Sequence, residues 1–382
     1  MKNRLLIFLL FFFLILLSFT LSIFAPYHNW DMIGYIAASK AFETSDVKLL
    51  HDYTFSQLKT TVSDSEYIAL TTGNQYRKII SANPAAFEEQ LVFYQIRPIY
   101  TSSIYLLSKV GLKIGFATHL ISGISIGISL LLVYFLTIRF LSVPFALTIP
   151  LFLLLFRIPN LARYSSPDGL AFLAVITSIY LLITQRIFLL LFLLPLLLGI
   201  RTDLILFTIP LMVYIFLFYK YSRLWPVLSL IFSLIVYFFI AFFWKNPGWT
   251  TIFYFTFVEI LPYPLSAPPE LTINQYAIAL VNGFKNHVIN ESFLVYLIGI
   301  IYSFFVVRDD IRKNIMRTIC NPWLAIIVIC SIYLTLHFFA FPIPEERFYS
   351  GYYFLCVFSF YALLNEKLEL SRLTDSIRCC EQ

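Results

Sequence analysis

Charge is what this chain has least of. Only 13% of its 382 residues are Asp, Glu, Lys or Arg, against 60% hydrophobic residues and a mean hydropathy of +0.82. That leaves too little polar surface to cover a soluble globule, so the chain reads as a polytopic membrane protein. Glycine is also sparse: the 12 glycines are dispersed and build no Gly-rich phosphate loop, which disfavours a nucleotide-linked substrate. The five histidines, His28, His51, His119, His287 and His337, lack metal-ligand spacing, which argues against structural zinc. Of the five cysteines, Cys330 and Cys356 lie in apolar runs and Cys320, Cys379 and Cys380 in basic segments, so no disulfide framework is implied.

Long apolar runs are what remains. They are continuous rather than alternating, so the lipid-exposed backbone must be satisfied by helices. The first, Leu5 to Phe24 after Lys2 and Arg4, has no small-x-small cleavage site and reads as a signal anchor with its N-terminus inside. The net charge of +6 comes from Lys and Arg scattered over short loops, where they set topology and do not suggest nucleic acid. Basic residues at Arg139, at Gln185-Arg186, from Lys220 to Arg223, from Arg308 to Arg317 and in the tail at Lys367, Arg372 and Arg378 then fall inside.

The expected fold class is an all-α polytopic membrane protein with about 10 transmembrane helices and a helical external first loop. Spans are expected near 5–24, 117–138, 144–157, 168–185, 187–200, 202–219, 224–244 and 292–307, with two more flanking the turn 342–348. Three regions result: a transmembrane module over 1–220 that includes the external loop 26–116, further helices over 221–364 with the external loop 245–291, and a basic cytoplasmic tail over 365–382. Within the first loop, helices are expected at Asp31 to Phe42, Thr54 to Thr61 and Ala85 to Tyr94, with Ile99 to Leu112 as an interfacial helix. A loop of such length is usually functional. The segment from Trp244 to Pro269, rich in proline and aromatics, reads as a lid or an aromatic belt.

On this map the unusual polar residues share one side of the membrane. Asp31 opens the first loop; Arg157, Arg163 and Asp168 occupy one short turn, Arg201 and Asp203 the next, and Glu345, Glu346 and Arg347 the last. A carboxylate held where a helix meets water is a functional candidate. Asp31 and Asp168 each begin a helix, so a capping role stands beside a chemical one for both. Arg201 with Asp203 reads either as a boundary ion pair or as part of a site.

These segments resemble the opening module of GT-C fold glycosyltransferases, in particular the protein O-mannosyltransferase and aminoarabinose-transferase superfamily. The residues that carry the resemblance are Trp30-Asp31-Met32-Ile33-Gly34-Tyr35 and Arg97-Pro98-Ile99-Tyr100, then Ser166-Pro167-Asp168-Gly169-Leu170-Ala171 at the start of a span, and Glu346-Arg347-Phe348-Tyr349 before the last span, which is similar to the family's late Arg-aromatic signature. The chain departs from that pattern with Arg201-Thr202-Asp203, where such proteins commonly carry a lysine-containing turn.

The resemblance implies transfer of a sugar from a polyprenyl-phosphate carrier to a lipid, glycan or protein acceptor on the external face; a bacterial cytoplasmic membrane is the expected compartment, and an endoplasmic reticulum membrane with a lumenal site would have the same physics. Asp31 is then the candidate base, and Asp168 could position the acceptor, orient an arginine or bind a divalent cation. Arg201 and Arg347 are the candidates for the departing phosphate, with Arg163 and Arg97 in reserve, because guanidinium meets phosphate in bidentate fashion. Tyr35, Asp203 and Glu346 complete the candidate site. The rivals are a polysaccharide polymerase or ligase and a transporter; the near absence of charge within the spans and of an internal repeat speaks against the last.

Overall fold

A computed structural model describes residues 2–219, 223–343 and 345–380. The described residues are helical, with no named strand and a single isolated bridge between Tyr27 and Tyr164. Most of the basic turn from Lys220 to Arg223 lies outside the described residues.

Among the described residues eighteen α-helices follow one another: α1 (Lys2–Phe24), α2 (Asp31–Lys40), α3 (Val47–Thr61), α4 (Asp64–Thr72), α5 (Gln75–Ala82), α6 (Pro84–Gln95), α7 (Pro98–Lys109), α8 (Ile114–Phe140), α9 (Val143–Leu155), α10 (Asp168–Ile183), α11 (Ile187–Ile200), α12 (Ile205–Phe218), α13 (Leu224–Phe243), α14 (Trp249–Phe257), α15 (Ile273–Val288), α16 (Glu291–Ile319), α17 (Pro322–Ala340) and α18 (Ser350–Cys380). Short 3₁₀ turns occupy 158–163, 202–204 and 346–348.

Among the described residues five helices are long and apolar enough to cross a membrane: α1, α8, α13, α17 and the Glu291–Ile315 part of α16. The chain is thus an integral all-α membrane protein. Between α8 and α13 stand four shorter apolar helices, α9 to α12, of 13 to 16 residues. Pro150, Pro195 and Pro210 lie inside three of them. The basic segment after residue 307 continues α16 instead of forming a loop, with a break at Asn314.

Residues 31–109 build a helical layer around their own core. Met32, Ile36, Leu58, Phe87, Tyr100 and Ile104 are buried there, and the layer sits on Ile114, Ala117 and Ile121 of α8. More helices form here than the sequence pattern indicates, because short polar caps start them where apolar periodicity is weak. Asp46 caps α3, Ser63 and Glu66 make a capping box on α4, and Asn74 and Asn83 cap α5 and α6. The expected interfacial helix forms as α7, started by Pro98.

Hydrogen bonds fix the connector that leads into this layer, and the turn it meets, against the bundle. Backbone of Tyr27 donates to the Arg163 carbonyl at 2.9 Å, and Arg163 Nε donates to the Ala25 carbonyl at 2.6 Å. From α8, the Ser122 hydroxyl donates to the carbonyls of Tyr164 and Ser166. The link to the second long segment runs through α6, where Gln90 donates to the Pro262 carbonyl at 3.0 Å and Glu89 accepts from the backbone of Leu265 and Ser266.

Small residues set how closely α1 and α8 approach. Gly123 and Gly127 are four apart on α8, and a Cβ on them would lie 2.6 Å from Ser22 Oγ and 2.8 Å from the Phe19 ring. This is the small-xxx-small packing of membrane helices. We expect Gly123→Leu to force α1 away, at about 1–3 kcal/mol as for other overpacked cores. A lowered thermal unfolding midpoint in detergent checks this; an unchanged midpoint would show that the glycine does not set the spacing.

Candidate functional site

At one end of the bundle five charged side chains alternate in sign. Arg347 Nη1 donates to Asp31 Oδ2 at 2.9 Å and lies 3.6 Å from Asp168 Oδ2. Asp168 pairs in turn with Arg201 Nη1, and Arg201 holds Asp203 with both Nε and Nη2, at 3.0 and 2.8 Å. The far end of the chain is held by α17, where the Tyr333 hydroxyl donates to Asp203 at 3.0 Å and His337 Nε2 lies 3.4 Å away.

Each charge arrives from a different connection. Asp31 starts α2, Asp168 starts α10, Arg201 ends α11, Asp203 sits in the 202–204 turn, and Arg347 belongs to the turn before α18. Neither Asp31 nor Asp168 caps its own helix through a side-chain hydrogen bond, and both carboxylates face arginine instead. Asn29 Nδ2 and the Ser166 hydroxyl, each two residues earlier, donate to Asp31 and Asp168 and fix their orientation.

The two carboxylates differ in access. Asp168 has 3% of its side chain exposed and all its company inside the protein, whereas Asp31 is 28% exposed. Both hydrogen bonds to Asp31 fall on Oδ2; among the described residues Oδ1 has no partner.

The two arginines differ as well. Burial by itself would lower the proton affinity of Arg201, but Asp203 and Asp168 outweigh it and hold the guanidinium above its ordinary range. The same balance, with Asp31, Asp168 and Glu345 as the acids, raises Arg347. Arg201 has committed Nε, Nη1 and Nη2 to carboxylates, whereas Arg347 makes one side-chain hydrogen bond, to Asp31, and its Nε is ion-paired with Glu345 at 2.5 Å. Phe348 lies against both guanidiniums, 4.6 Å from Arg201 and 5.0 Å from Arg347. The cavity among Asp168, Arg201, Tyr333, Arg347 and Phe348 is about 20 Å³, the room of a single water.

The remaining candidates fall around this chain. Tyr35 is buried on α2 with its phenol pushed up by burial, against the opposing charge of Arg97. Arg97 lies over the Tyr35 ring at 5.7 Å and donates to the Phe93 carbonyl, and Arg163 is the tether to Ala25, so neither arginine contacts the carboxylates. Glu346 pairs with Arg157 at 3.2 Å and accepts from Asn290 at 3.1 Å, which anchors the turn carrying Arg347. Among the described residues no group of three or more His, Cys, Asp or Glu is arranged to hold a metal ion. Tyr333 and His337 are members of the site that the sequence reading leaves out; their spacing of four on one helix face in an otherwise apolar run is the signal. Set against protein families, curated proteins and solved structures, the chain matches none.

Removing one partner of a buried ion pair strands the other charge. Arg201→Gln is therefore expected to cost about 3–5 kcal/mol of stability, and adding Asp168→Asn should return part of that loss. Chemical unfolding of both variants measures the coupling, and strictly additive losses would show the two groups to be independent.

Proposed function

We propose that this protein is a GT-C-type membrane glycosyltransferase that moves a sugar from a polyprenyl-phosphate donor to a lipid, glycan or protein acceptor. In this reading the chain crosses a bacterial cytoplasmic membrane about ten times, with α9 to α12 and the start of α18 completing the count, and the site faces outward. The observation that carries the reading is the convergence of Asp31, Asp168, Arg201 and Arg347, with Arg347 shared between the two acids.

The chemistry assigns each group a task. The acceptor hydroxyl attacks the anomeric carbon, its proton passes to Asp31, and the bond from that carbon to the phosphate oxygen breaks with its electron pair leaving on the polyprenyl phosphate. Asp31 suits the base because Oδ1 is unpartnered and the residue is reachable from solvent. Arg347 suits the phosphate because it lies beside Asp31 and makes one side-chain hydrogen bond where Arg201 makes three. Arrival of the donor phosphate at Arg347 would loosen its bond to Asp31, so donor binding and release of the base are coupled. Arg201, already saturated by two carboxylates, is a positioning residue that holds Asp168.

Asp31→Asn keeps the size of the side chain and the pairing with Arg347 through its amide oxygen, but cannot take a proton. With purified protein in lipid, labelled polyprenyl-phosphate sugars and a membrane extract as acceptor, wild type should transfer label and Asp31→Asn should lose activity by at least about 10²-fold. Wild-type turnover in the variant would overturn the role of Asp31. Failure of every donor with folded protein would shift the reading to a polymerase, ligase or transporter, for which flux across proteoliposomes is the next measurement.

A further inference from the structure

Three sides of α15 differ in kind. Ala279, Gly283 and His287, spaced by four, are its buried residues. Val281, Phe284 and Val288 form an apolar strip that is 54%, 57% and 40% exposed, and Asn282 and Asn286 lie on a third, polar side that is exposed as well. A surface helix of a soluble protein turns its apolar strip toward the core, and this one does not.

The buried side fixes where α15 lies. Tyr276 and His287 are about 16 Å apart along its axis, yet both meet the last turn of α17: the Tyr276 hydroxyl donates to the Phe339 carbonyl at 2.9 Å, and the His287 ring lies 5.3 Å from that of Phe338. Between them Gly283 abuts Pro342, where a Cβ would lie 2.5 Å from the Pro342 carbonyl oxygen. α15 therefore runs across the end of α17 and not alongside it. With 19 residues α17 is about 28 Å long and by itself matches the roughly 30 Å hydrocarbon core of a bilayer, so that end lies at the membrane boundary.

Two features identify lipid as what covers the apolar strip. α16 follows directly at Glu291, and its Leu294, Ile298 and Ile301, on one face of a membrane-spanning segment, are exposed too. Trp249 Nε1 donates to the Ala340 carbonyl at 2.7 Å and, with Tyr276, satisfies carbonyls that the last turn of α17 leaves open, which is where aromatic side chains stand at a membrane boundary. We infer that α15 is an amphipathic helix lying in the plane of the membrane boundary, with Val281, Phe284 and Val288 among the acyl chains and Asn282 and Asn286 toward water. Its C-terminal end is tied to the turn that carries Arg347, because the His287 ring lies 4.6 Å from that of Tyr349 and Asn290 donates to Glu346 at 3.1 Å. The depth of α15 in the lipid thus sets the height of that turn relative to the bilayer. The inference needs no transferase activity and is tested apart from it.

A photoreactive benzoylphenylalanine placed at one position at a time in the full-length protein reports what each side of α15 touches. In phosphatidylcholine liposomes, irradiation of Phe284→benzoylphenylalanine and of Val281→benzoylphenylalanine should give a phospholipid adduct by mass spectrometry, attached through an acyl chain. Asn286→benzoylphenylalanine should lose that adduct, and Ile298→benzoylphenylalanine, on α16, should give it as the positive control. All four side chains are exposed, so unfolding midpoints equal to wild type are expected. Covalent dimers in place of the lipid adduct at positions 281 and 284 would assign the strip to a second copy of the chain and overturn the inference. So would the absence of a lipid adduct there while position 298 gives one, or an equal adduct at position 286.

Discussion

Five charges in a row, Asp31, Arg347, Asp168, Arg201 and Asp203, govern one end of this bundle, because buried ions persist only when each has an opposite neighbour. Arg201 and Asp168 retain 7% and 3% side-chain exposure, so water does little to screen or replace their pairing. The chain of pairs also serves as a clamp. It ties α2, α10, the turn after α11, α17 and the turn before α18 to one another, although these segments are far apart in sequence.

The clamp closes only because the connectors are themselves fixed. Asp31 reaches Arg347 through the 25–30 segment, whose backbone is pinned at Tyr27 and Ala25 to the 163–164 turn. The same turn is held from α8 by Ser122, and Gly169 lets α10 come within contact of that serine, where a Cβ would lie 3.0 Å from Ser122 Cα. Polar side chains of a membrane helix are thus used to set loop geometry, and that geometry sets the distance between two carboxylates.

How much of this was readable in advance depends on the kind of signal. Apolar runs announced α1, α8, α13 and α17 because a membrane demands uninterrupted hydrophobicity, and charge outside those runs marked Asp31, Asp168, Arg201, Asp203 and Arg347. Partners were less legible. That Arg163 holds a backbone carbonyl while Arg201 holds two acids depends on tertiary distance, which no local pattern encodes. His337 and Tyr333 were hidden inside an apolar run, where a single polar residue reads as core until its neighbour Asp203 is known. The helices α4 and α5 escaped because caps at Ser63 and Asn74, rather than periodic burial, start them.

The proposed transfer reaction requires the site to open. A cavity of about 20 Å³ admits no sugar, so any substrate must move a wall. Arg201 is a poor choice, since displacing it would break one hydrogen bond to the buried Asp168 and two to the partly exposed Asp203. The turn carrying Arg347 is held at its edge by Glu346 to Arg157, in which the arginine is 57% exposed, and exposed ion pairs of this kind contribute little. Arg347 itself would exchange Asp31 for an incoming anion with little net change in its pairing. For the proposed reaction, the least costly opening is therefore a displacement of the 345–348 segment while the buried Tyr349 and Arg201, Asp168 and Asp203 stay in place, which would leave one fixed arginine for architecture and one movable arginine for the proposed donor.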